Sequence, residues 1–458
     1  MAYTDIDKPT DYFNTKLYTG NGSTQSITGV GFQPDWVWIK NRSGTKQHHL
    51  FDVVRGATKF IESSTTDAEA TDTTTLSSFD SDGFTLGNSG KVNGSSVTAV
   101  SWNWKAGGTA PAITYVVKVV SDSGNKYRFD DFGTSAVTLD LQEGGTYTFD
   151  QSDSSNSGHP LRFSTTSNGT HGGGSEYTTG VTTTGTPGNA GAKTVITVGS
   201  GVATLYYYCS SHSAMGGQAN TNSTFGSSNF SGSIQSTVSA NTTAGFSIVS
   251  FTGNGSSDQQ VGHGLATTPT CYITKDRTNG STNWHYHTTQ IDGGMDFGKL
   301  NSTDAFSSSS LSAPSSTTIR VGGTINTSSA NFISYVFSEK KGYSKFGSYL
   351  ANGNADGSYI HLGFRPAWIL LKASNNGSWN WRLSDSTRTT FNSSTHHNLF
   401  PSSSDAEVSN EKDLDYLSNG FKLRTSGSGV NASGYEVIYM AFAESPFVNS
   451  NGVPTNAR

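Results

Sequence analysis

The sequence predicts an all-β, multidomain chain of β-sandwich-like domains, in which three related repeats are joined by one unrelated insert. The 458 residues exceed a typical domain of about 100 to 150 residues several-fold. Only 14% of the residues are charged and 53 are glycine, and the Ala/Leu/Glu/Lys-rich windows of long helices are missing. The 25 Phe, 19 Tyr and 8 Trp residues supply enough large side chains for several cores, so disorder is not expected outside short linkers.

The three repeats are recognised by motifs that recur in the same order. Each begins with a Gly/Asn turn, continues with a proline followed by an apolar run that ends in lysine, and ends with a 12-residue segment that we call the closer. The turns are 18–23, 251–256 and 349–354, the proline runs are 34–40, 269–275 and 366–372, and the closers are 93–104, 326–337 and 431–442. Repetition on this scale indicates an extended array that presents surfaces.

Short strands separated by turns are expected within each repeat. Asp82-Gly83 and Asn419-Gly420 precede alternating apolar residues, which is a strong hairpin signal because these pairs accept positive φ. The closers alternate large apolar residues with small or polar ones, as strands of a two-sheet sandwich do. These patterns place the first repeat at 1–107, the insert at 111–224, a linker at 225–243, the second repeat at 244–342, the third at 343–448 and a tail at 449–458.

Aromatic and charged residues of the repeats are interpreted as structural. Trp36, Trp38, Trp102 and Trp104 would suit sugar stacking, but aliphatic residues and Phe replace Trp38 and Trp104 in the other repeats, as core positions are replaced. The first and third repeats each carry an acid and a base three residues apart, Asp52 with Arg55 and Asp385 with Arg388. We expect each pair to hold a turn rather than to act in catalysis, because the second repeat lacks it.

The insert carries the sharpest chemical motif of the chain. A predicted strand, 204–209, runs into Cys209-Ser-Ser-His212-Ser-Ala-Met215, and His159 lies about 50 residues upstream. A thiolate and an imidazole on one tight loop, a weak thioether and a second imidazole form the ligand set of a blue-copper site. His159, Cys209, His212 and Met215 are therefore the candidate metal ligands.

The insert resembles the cupredoxins, the plastocyanin-like β-sandwiches. The resemblance covers about a quarter of the chain and implies a Greek-key sandwich, with copper as the possible metal. In that family a proline usually precedes the second histidine of the site, whereas here Ser211 precedes His212 and Pro160 follows His159. The alternative is a metal-free hairpin with a buried free cysteine, and no resident cofactor is expected.

Two other histidine pairs are weaker candidates. His285 and His287 alternate on a predicted strand, so both side chains can lie on one face and could chelate a metal. The aligned stretches of the other repeats offer His48-His49 and Trp381-Arg382, so the position is not a ligand site shared by all three repeats. His396 and His397 stand in a Ser/Asn-rich stretch, where we expect them to be solvated.

The repeats resemble a family common in virion proteins of marine tailed phages, especially cyanophages. The resemblance rests on 6–23, 33–42 and 346–368, and on plastocyanin-like inserts that end in a Tyr-Tyr-Cys-Ser-x-His loop. It implies a phage structural protein and transfers no catalytic residue. The favoured interpretation is a tail fibre or appendage that contributes to attachment to the host surface. The alternative is a capsid decoration protein, such as a head fibre or cement protein. A copper-binding electron-transfer module is a remoter alternative, because it would explain the insert alone.

Composition limits partners and location. A net charge of −5 with scattered Lys and Arg argues against nucleic acid as a partner. No apolar run is long enough for a membrane span and the first residues lack signal-peptide features, so we expect a protein made in the host cytoplasm and assembled into the virion. Acidic residues stand mostly alone in turns, which argues against a polysaccharide-degrading enzyme with paired carboxylates, and no catalytic residue is predicted. Expected partners are other virion proteins through residues 1–12, copies of this chain, with a trimer for a fibre, and a host-surface glycan or protein.

Overall fold

The fold consists of β-sheets joined by turns and loops, which confirms the predicted all-β class. The structure is a computed structural model, which describes residues 4–107, 110–221, 226–390, 392, 395–427 and 429–446. The predicted tail, 449–458, lies outside these residues. Helical structure in the described part is limited to short 3-10 turns, at Pro9–Asp11, Ser154–Asn156, Gly169–Gly172 and Gly323–Ile325.

The first repeat forms a large and a small sheet that pack against each other. Its strands are β1 (Phe13–Thr19), β2 (Gln25–Thr28), β3 (Trp36–Asn41), β4 (His49–Asp52), β5 (Lys59–Glu62), β6 (Ala70–Thr71), β7 (Leu76–Asp80), β8 (Gly83–Leu86) and β9 (Thr98–Trp104). The large sheet has the order β1-β9-β3-β4-β5-β6 and the small sheet the order β2-β8-β7.

The insert forms two five-stranded sheets of its own. Its strands are β10 (Ala112–Ser121), β11 (Asn125–Phe129), β12 (Leu139–Asp140), β13 (Thr146–Asp150), β14 (Leu161–Ser164), β15 (Glu176–Tyr177), β16 (Val181–Thr184), β17 (Lys193–Thr197), β18 (Leu205–Cys209) and β19 (Gly217–Asn220). One sheet has the order β11-β10-β13-β17-β16, and the other has the order β12-β19-β18-β14-β15. A single apolar cluster of Tyr, Phe and aliphatic side chains fills the space between them.

The second repeat has an eight-stranded sheet and a small sheet of only two strands. Its strands are β20 (Ser227–Asn229), β21 (Ser236–Asn241), β22 (Phe246–Thr252), β23 (Gln259–Gly262), β24 (Cys271–Asp276), β25 (His285–Thr288), β26 (Asp296–Lys299), β27 (Ser307–Ser308), β28 (Thr318–Val321) and β29 (Asn331–Phe337). The large sheet runs β20-β21-β22-β29-β24-β25-β26-β27, and β23 pairs with β28.

The third repeat has the arrangement of the first, with a further two-stranded sheet. Its strands are β30 (Ser344–Leu350), β31 (Tyr359–His361), β32 (Phe364–Ala373), β33 (Arg382–Asp385), β34 (His396–Asn398), β35 (Val408–Glu411), β36 (Leu414–Leu417), β37 (Gly420–Leu423) and β38 (Glu436–Pro446). The sheets have the orders β30-β38-β32-β33, β31-β37-β36 and β34-β35. His396 is fully buried and stacks on Tyr416, so the expectation of a solvated histidine was wrong at this position.

The stretch 225–243 is not a plain linker, as the sequence had suggested. It contributes β20 and β21 to the large sheet of the second repeat. Its Ser and Thr side chains also bond to the insert: Ser227 meets the Tyr147 hydroxyl at 2.7 Å, and the Tyr115 hydroxyl donates to the carbonyl of Ser228 at 2.8 Å. The expectation failed because a Ser/Thr-rich strand is stable where neighbouring strands satisfy its backbone, and Phe230 fills the insert core.

Each closer supplies the strand between the first strand and the proline-run strand of its repeat. Trp104 lies opposite Phe13 and Trp36, Phe337 opposite Phe246 and Cys271, and Phe442 opposite Ser344 and Trp368. The register is therefore the same in all three repeats at this position. The four tryptophans of the first repeat are buried, which confirms their assignment to the core.

Side chains from all three repeats share one apolar cluster. Trp36 and Trp104 of the first repeat, Tyr335 of the second and Phe442 of the third all belong to it. The Trp36 ring stacks on Tyr335 at 4.4 Å, and the Trp104 ring meets Trp368 edge-on at 5.5 Å. The large sheets of the three repeats therefore pack against one another around a shared core.

A lysine at the end of each proline run reaches into a neighbouring repeat. The ammonium of Lys40 donates to the carbonyl of Ser404 at 3.2 Å, that of Lys275 to the carbonyl of Thr66 at 2.9 Å, and that of Lys372 to the carbonyl of Thr303 at 2.9 Å. The first repeat thus contacts the third, the second contacts the first, and the third contacts the second. These three equivalent contacts close a ring. Burial lowers the pKa of each of the three lysines to about 8.

Backbone hydrogen bonds connect the same pairs of repeats, at the residue two positions after each ring lysine. The amide of Glu69 donates to the carbonyl of Arg277, that of Phe306 to Ser374 and that of Glu407 to Arg42, at 3.0, 2.7 and 2.9 Å. In two of the joints the acceptor's own side chain adds a two-pronged ion pair, Arg277 to Glu69 and Arg42 to Glu407. The third joint replaces the charges with the Phe306 ring, which packs against Tyr286 and Trp381.

Candidate metal centre

The candidate site lies at one end of the insert, where β14 and β18 run antiparallel. Leu161 of β14 lies opposite Cys209, the last residue of β18, and His159 stands two residues before Leu161. The amide of Ser210 donates to the carbonyl of Pro160 at 3.1 Å, which continues the pairing just beyond the ends of the two strands. Strand pairing therefore brings His159 beside Cys209, although about 50 residues separate them in the sequence.

The backbone around His159 is fixed by buried side chains. Its carbonyl accepts hydrogen bonds from the Tyr127 hydroxyl and the Gln151 amide, both at 2.8 Å. Its amide donates to the carbonyl of Asn156, also at 2.8 Å. The backbone that carries the imidazole is thus fixed by three hydrogen bonds.

A tight loop after Cys209 carries the second histidine. The chain returns as β19, which pairs with β18 so that Tyr207 lies opposite Gly217. The return strand comes so close that a Cβ on Gly216 would lie 1.7 Å from the carbonyl oxygen of Tyr207, so only glycine fits there. The Asn168 side chain accepts from the amide of Ala214 at 2.7 Å and fixes the turn.

Three of the four predicted ligands converge. The Cys209 sulfur lies 3.9 Å from Nδ1 of His159 and 3.7 Å from Nδ1 of His212. All three ligand atoms lie within 4.8 Å of one another. Among the residues that the structure describes, no other group of three His, Cys, Asp or Glu side chains meets this criterion. His159 therefore faces Cys209, as a copper site requires.

These separations fit a bound metal ion. Bonds of about 2.1 Å to nitrogen and 2.3 Å to sulfur, at a trigonal angle, place the two ligand atoms about 3.8 Å apart. The observed 3.7 and 3.9 Å bracket this value. Sulfur with two imidazole nitrogens is a set that suits copper or zinc, so the residues present fit the metal.

Met215 lies on the same loop, and the contacts of its side chain are with the core of the insert. It is buried in the apolar cluster of the insert together with Cys209, Leu161 and Tyr207. Its carbonyl accepts a hydrogen bond from the amide of Tyr127 at 2.9 Å. The role of its thioether as a weak fourth ligand stays a prediction.

The electrostatics of the site favour ligation at neutral pH. Desolvation and the nearby His212 lower the pKa of His159, so its imidazole is neutral and its ring nitrogen can bind a metal. Cys209 is buried, as is the other cysteine, Cys271, and both are free thiols.

The other predicted histidine pair also lies on a strand. His285 and His287 stand on β25, and their rings are 5.9 Å apart and nearly parallel. Both face a cavity, together with Phe297 of the neighbouring strand. Sequence reasoning identified the common face but not the cavity, because the cavity depends on which strands cover the sheet.

The acid–base pairs of the repeats form as predicted and do more than hold turns. Arg55 bonds to Asp52, and Arg388 bonds to Asp385, both fully buried. Each carboxylate also accepts a hydrogen bond from another repeat, Asp52 from the Tyr335 hydroxyl at 2.7 Å and Asp385 from the Trp102 indole at 3.0 Å. Sequence reasoning missed this role and that of the three ring lysines, although a lysine at the same position of all three proline runs was a visible signal.

Comparison with known proteins identifies a family without an assigned function. A model described as "Domain of unknown function (DUF7483)" matches residues 8–130 and 217–446. The break in the match, between 130 and 217, lies inside the predicted insert. No curated protein and no solved structure matches the chain. In the described part of the chain, no helix has the length and hydropathy that crossing a membrane requires.

Proposed function

The chain belongs to the DUF7483 family, and we propose that it is a non-enzymatic structural protein of a bacteriophage virion, a tail fibre or appendage that contributes to attachment to the host surface. The family match covers the three repeats, which are also the part that resembles marine phage virion proteins. The insert lies between the first and second repeats.

The observation that carries this proposal is the closed ring of repeats. Asp52, Asp385 and the three ring lysines, which might otherwise serve in acid–base chemistry, hold one repeat to the next. A unit whose buried polar groups join its domains is suited to a mechanical and presenting role. Its outward turns offer several related surfaces, and linked surfaces gain avidity without a strong single site.

The ring also bears on how copies would assemble. Three related domains within one chain already occupy the positions that three copies would take in a homotrimer. A trimeric fibre, which the sequence suggested, would therefore need contacts outside the ring. A single chain of this shape also suits a threefold position on a particle, where one copy can face three partners.

Attachment to the particle is proposed through the first residues. Within residues 4–12, Ile6 is buried in the shared core, and the amide of Asp5 donates to the carbonyl of Lys341 at 2.9 Å. Asp5, Asp7 and Lys8 of the same segment are exposed. Other virion proteins would bind this exposed side, while the buried side stays with the ring.

Deletion of the gene from a phage that carries it tests the proposal. A fibre or appendage predicts intact, filled heads that adsorb poorly to host cells. Normal adsorption with heads that lose DNA on heating would support the alternative, a capsid decoration protein. Normal behaviour in both assays, with the chain absent from purified particles of the parent phage, contradicts a virion role.

A second candidate function is copper binding by the insert, and the convergence of Cys209, His159 and His212 favours it. When bound, copper on a thiolate can exchange a single electron, so an electron-transfer role is the remoter extension of this candidate. His212 is exposed, which leaves the site open to solvent on one side. Metal titration of the purified chain separates this candidate from a metal-free hairpin.

A further inference from the structure

The second repeat has a cavity where the first repeat is filled. The small sheet has three strands in the first and third repeats but two in the second, where residues 309–317 form no strand. A cavity of about 520 Å³ lies beside this loop. We call it the Phe297 cavity, after the ring at its base, and its other lining residues include His285, His287, Leu311 and Thr324.

An equivalent ring in the first repeat is covered by the chain's own lysine. Phe60 and Phe297 occupy the same position, on the strand that follows β4 or β25. The ammonium of Lys91 lies 4.6 Å from the centre of the Phe60 ring and is held there by Asp72. Lys91 stands two residues before the asparagine that begins its closer, and in the second repeat this position is Thr324. The shorter side chain leaves the space at Phe297 open.

The walls of the cavity combine ring faces with unused polar groups. The rings of His285, His287 and Phe297 lie within 5.4 to 5.9 Å of one another and are nearly parallel. His287 is 2% exposed, and its Nδ1 has no hydrogen-bond partner. A buried polar atom without a partner costs about 1 to 3 kcal/mol, so a ligand that bonds to it is favoured.

The cavity carries little free charge. Burial lowers the pKa of His285 to about 4 and that of His287 to about 3, so both imidazoles are neutral at pH 7 and each ring has one donor and one acceptor. Nε2 of His285 is already within 3.2 Å of the Thr324 hydroxyl. The carboxylate of Asp258 is already paired with the Arg320 guanidinium at 3.6 Å, and it also accepts from the amide and hydroxyl of Ser312, at 2.9 and 2.7 Å. A charged ligand would therefore find no free counter-ion there among the lining groups, whereas a neutral polyol would find hydroxyls and imidazoles.

We propose that the Phe297 cavity binds a neutral monosaccharide or disaccharide unit of a glycan. The apolar face of a pyranose ring packs on Phe297, while its hydroxyls bond to His285, His287 and the serines of 308–310. The volume lies within the range of about 300 to 1,000 Å³ that ligand sites show. A divalent metal ion is the less favoured occupant, because the lining carboxylate of Asp258 is already paired with Arg320, which leaves two imidazoles as ligands. This binding site would serve the proposed attachment role. The argument for sugar binding, however, depends only on the cavity and not on that role.

The test is a binding assay on the full chain with methyl glycosides of glucose, galactose, mannose and N-acetylglucosamine, by calorimetry or ligand-observed NMR. At least one glycoside is expected to bind, with a dissociation constant on the order of 1 mM. Thr324→Lys copies Lys91 of the first repeat, and it should fill the cavity without removing a core side chain. It should weaken binding about tenfold or more.

A matched control is Thr327→Lys, the same replacement at an exposed position three residues further along the chain that does not line the cavity. It should bind as the parent chain does, and both variants should unfold at the parent temperature. The proposal is overturned if no glycoside binds at tens of millimolar, or if both variants bind equally. Binding of Zn²⁺ in place of sugars, lost in Thr324→Lys, would also overturn it. A failure here leaves the gene-deletion test unaffected, since attachment could use another surface.

Discussion

The hydroxyl of Tyr335 in the second repeat donates a 2.7 Å hydrogen bond to the carboxylate of Asp52 in the first, and both side chains are fully buried. Trp102 makes the equivalent bond from the first repeat to Asp385 of the third. In the third joint, Met440 of the third repeat takes the position of the donor and Thr288 of the second repeat takes the position of the carboxylate. This pair cannot form such a bond. The ring thus uses a charged acceptor in two joints and apolar packing in the third, consistent with the near equivalence of buried ion pairs and apolar replacements.

Removal of the Tyr335 hydroxyl should destabilise the chain. A hydrogen bond to a charged group contributes about 1.5 to 3 kcal/mol, so Tyr335→Phe should lower the free energy of unfolding by about that amount in urea titrations. Tyr343→Phe is the matched control, because the Tyr343 hydroxyl is buried in the same core and has no partner. Its effect should be near zero. Equal effects of the two substitutions would mean that the Asp52 bond contributes nothing to the joint.

Replacement of a ring lysine should also lower the free energy of unfolding. Lys275→Met would remove the hydrogen bonds from its ammonium to the carbonyls of the half-buried Thr66 and Thr282, and each bond to a charged donor contributes about 1.5 to 3 kcal/mol. Unfolding in urea should show this loss, and Lys40→Met and Lys372→Met should behave alike if the three contacts are equivalent. Lys193→Met, at an exposed position of the insert, should change stability by less than about 0.5 kcal/mol. A ring lysine that behaves like Lys193 would contradict the closed ring.

Much of the fold could be predicted from the sequence, and the joints could not. Strands and cores follow local patterns: the closers, the Asp-Gly and Asn-Gly turns and the buried tryptophans each carry their signal within a few residues. The strand Ser236–Asn241 lacked such a signal, because neighbouring strands rather than its own side chains stabilise it. The contact between Tyr335 and Asp52 depends on how three domains pack together, which no periodicity within one repeat encodes. The convergence of Cys209 and His212 could be predicted because both residues lie on one short loop, whereas the place of His159 beside them depends on strand pairing.

Acid should unfold the chain through its buried histidines. Burial lowers the pKa of His263 to about 4, and Nδ1 of this residue accepts the amide of Leu265 at 3.1 Å, which requires a neutral ring. Between pH 6.5 and about 4 the unfolded chain binds the proton and the folded chain does not. The stability is therefore complete above pH 6.5 and is lost as the pH falls towards 4, by about 1.4 kcal/mol for each unit of pKa difference.

The variant His263→Asn checks this origin of the acid sensitivity. Asparagine can keep an acceptor for the Leu265 amide but does not titrate in this range, so the slope of unfolding free energy against pH between 6.5 and 4 should become shallower. His361→Asn is the control, because His361 is exposed. Its slope should match that of the parent chain. An unchanged slope in His263→Asn would assign the acid sensitivity to other groups.

Copper loading should distinguish an assembled centre from an inherited hairpin. The Cys209 sulfur and the two Nδ1 atoms already have the separations that a trigonal ion would impose, so little rearrangement opposes binding. We expect Cu(II) added to the purified chain to give the intense thiolate-to-copper absorption towards the red end of the visible, and to raise the unfolding temperature by mass action. Cys209→Ser should remove the absorption, and His212→Ala should weaken binding while the insert stays folded, since His212 is exposed. Cys271→Ser is the matched control, because Cys271 is a buried free thiol outside the insert, and it should keep the full absorption. A chain that stays colourless after loading, with an unchanged unfolding temperature, would leave Cys209 as a buried thiol of the core.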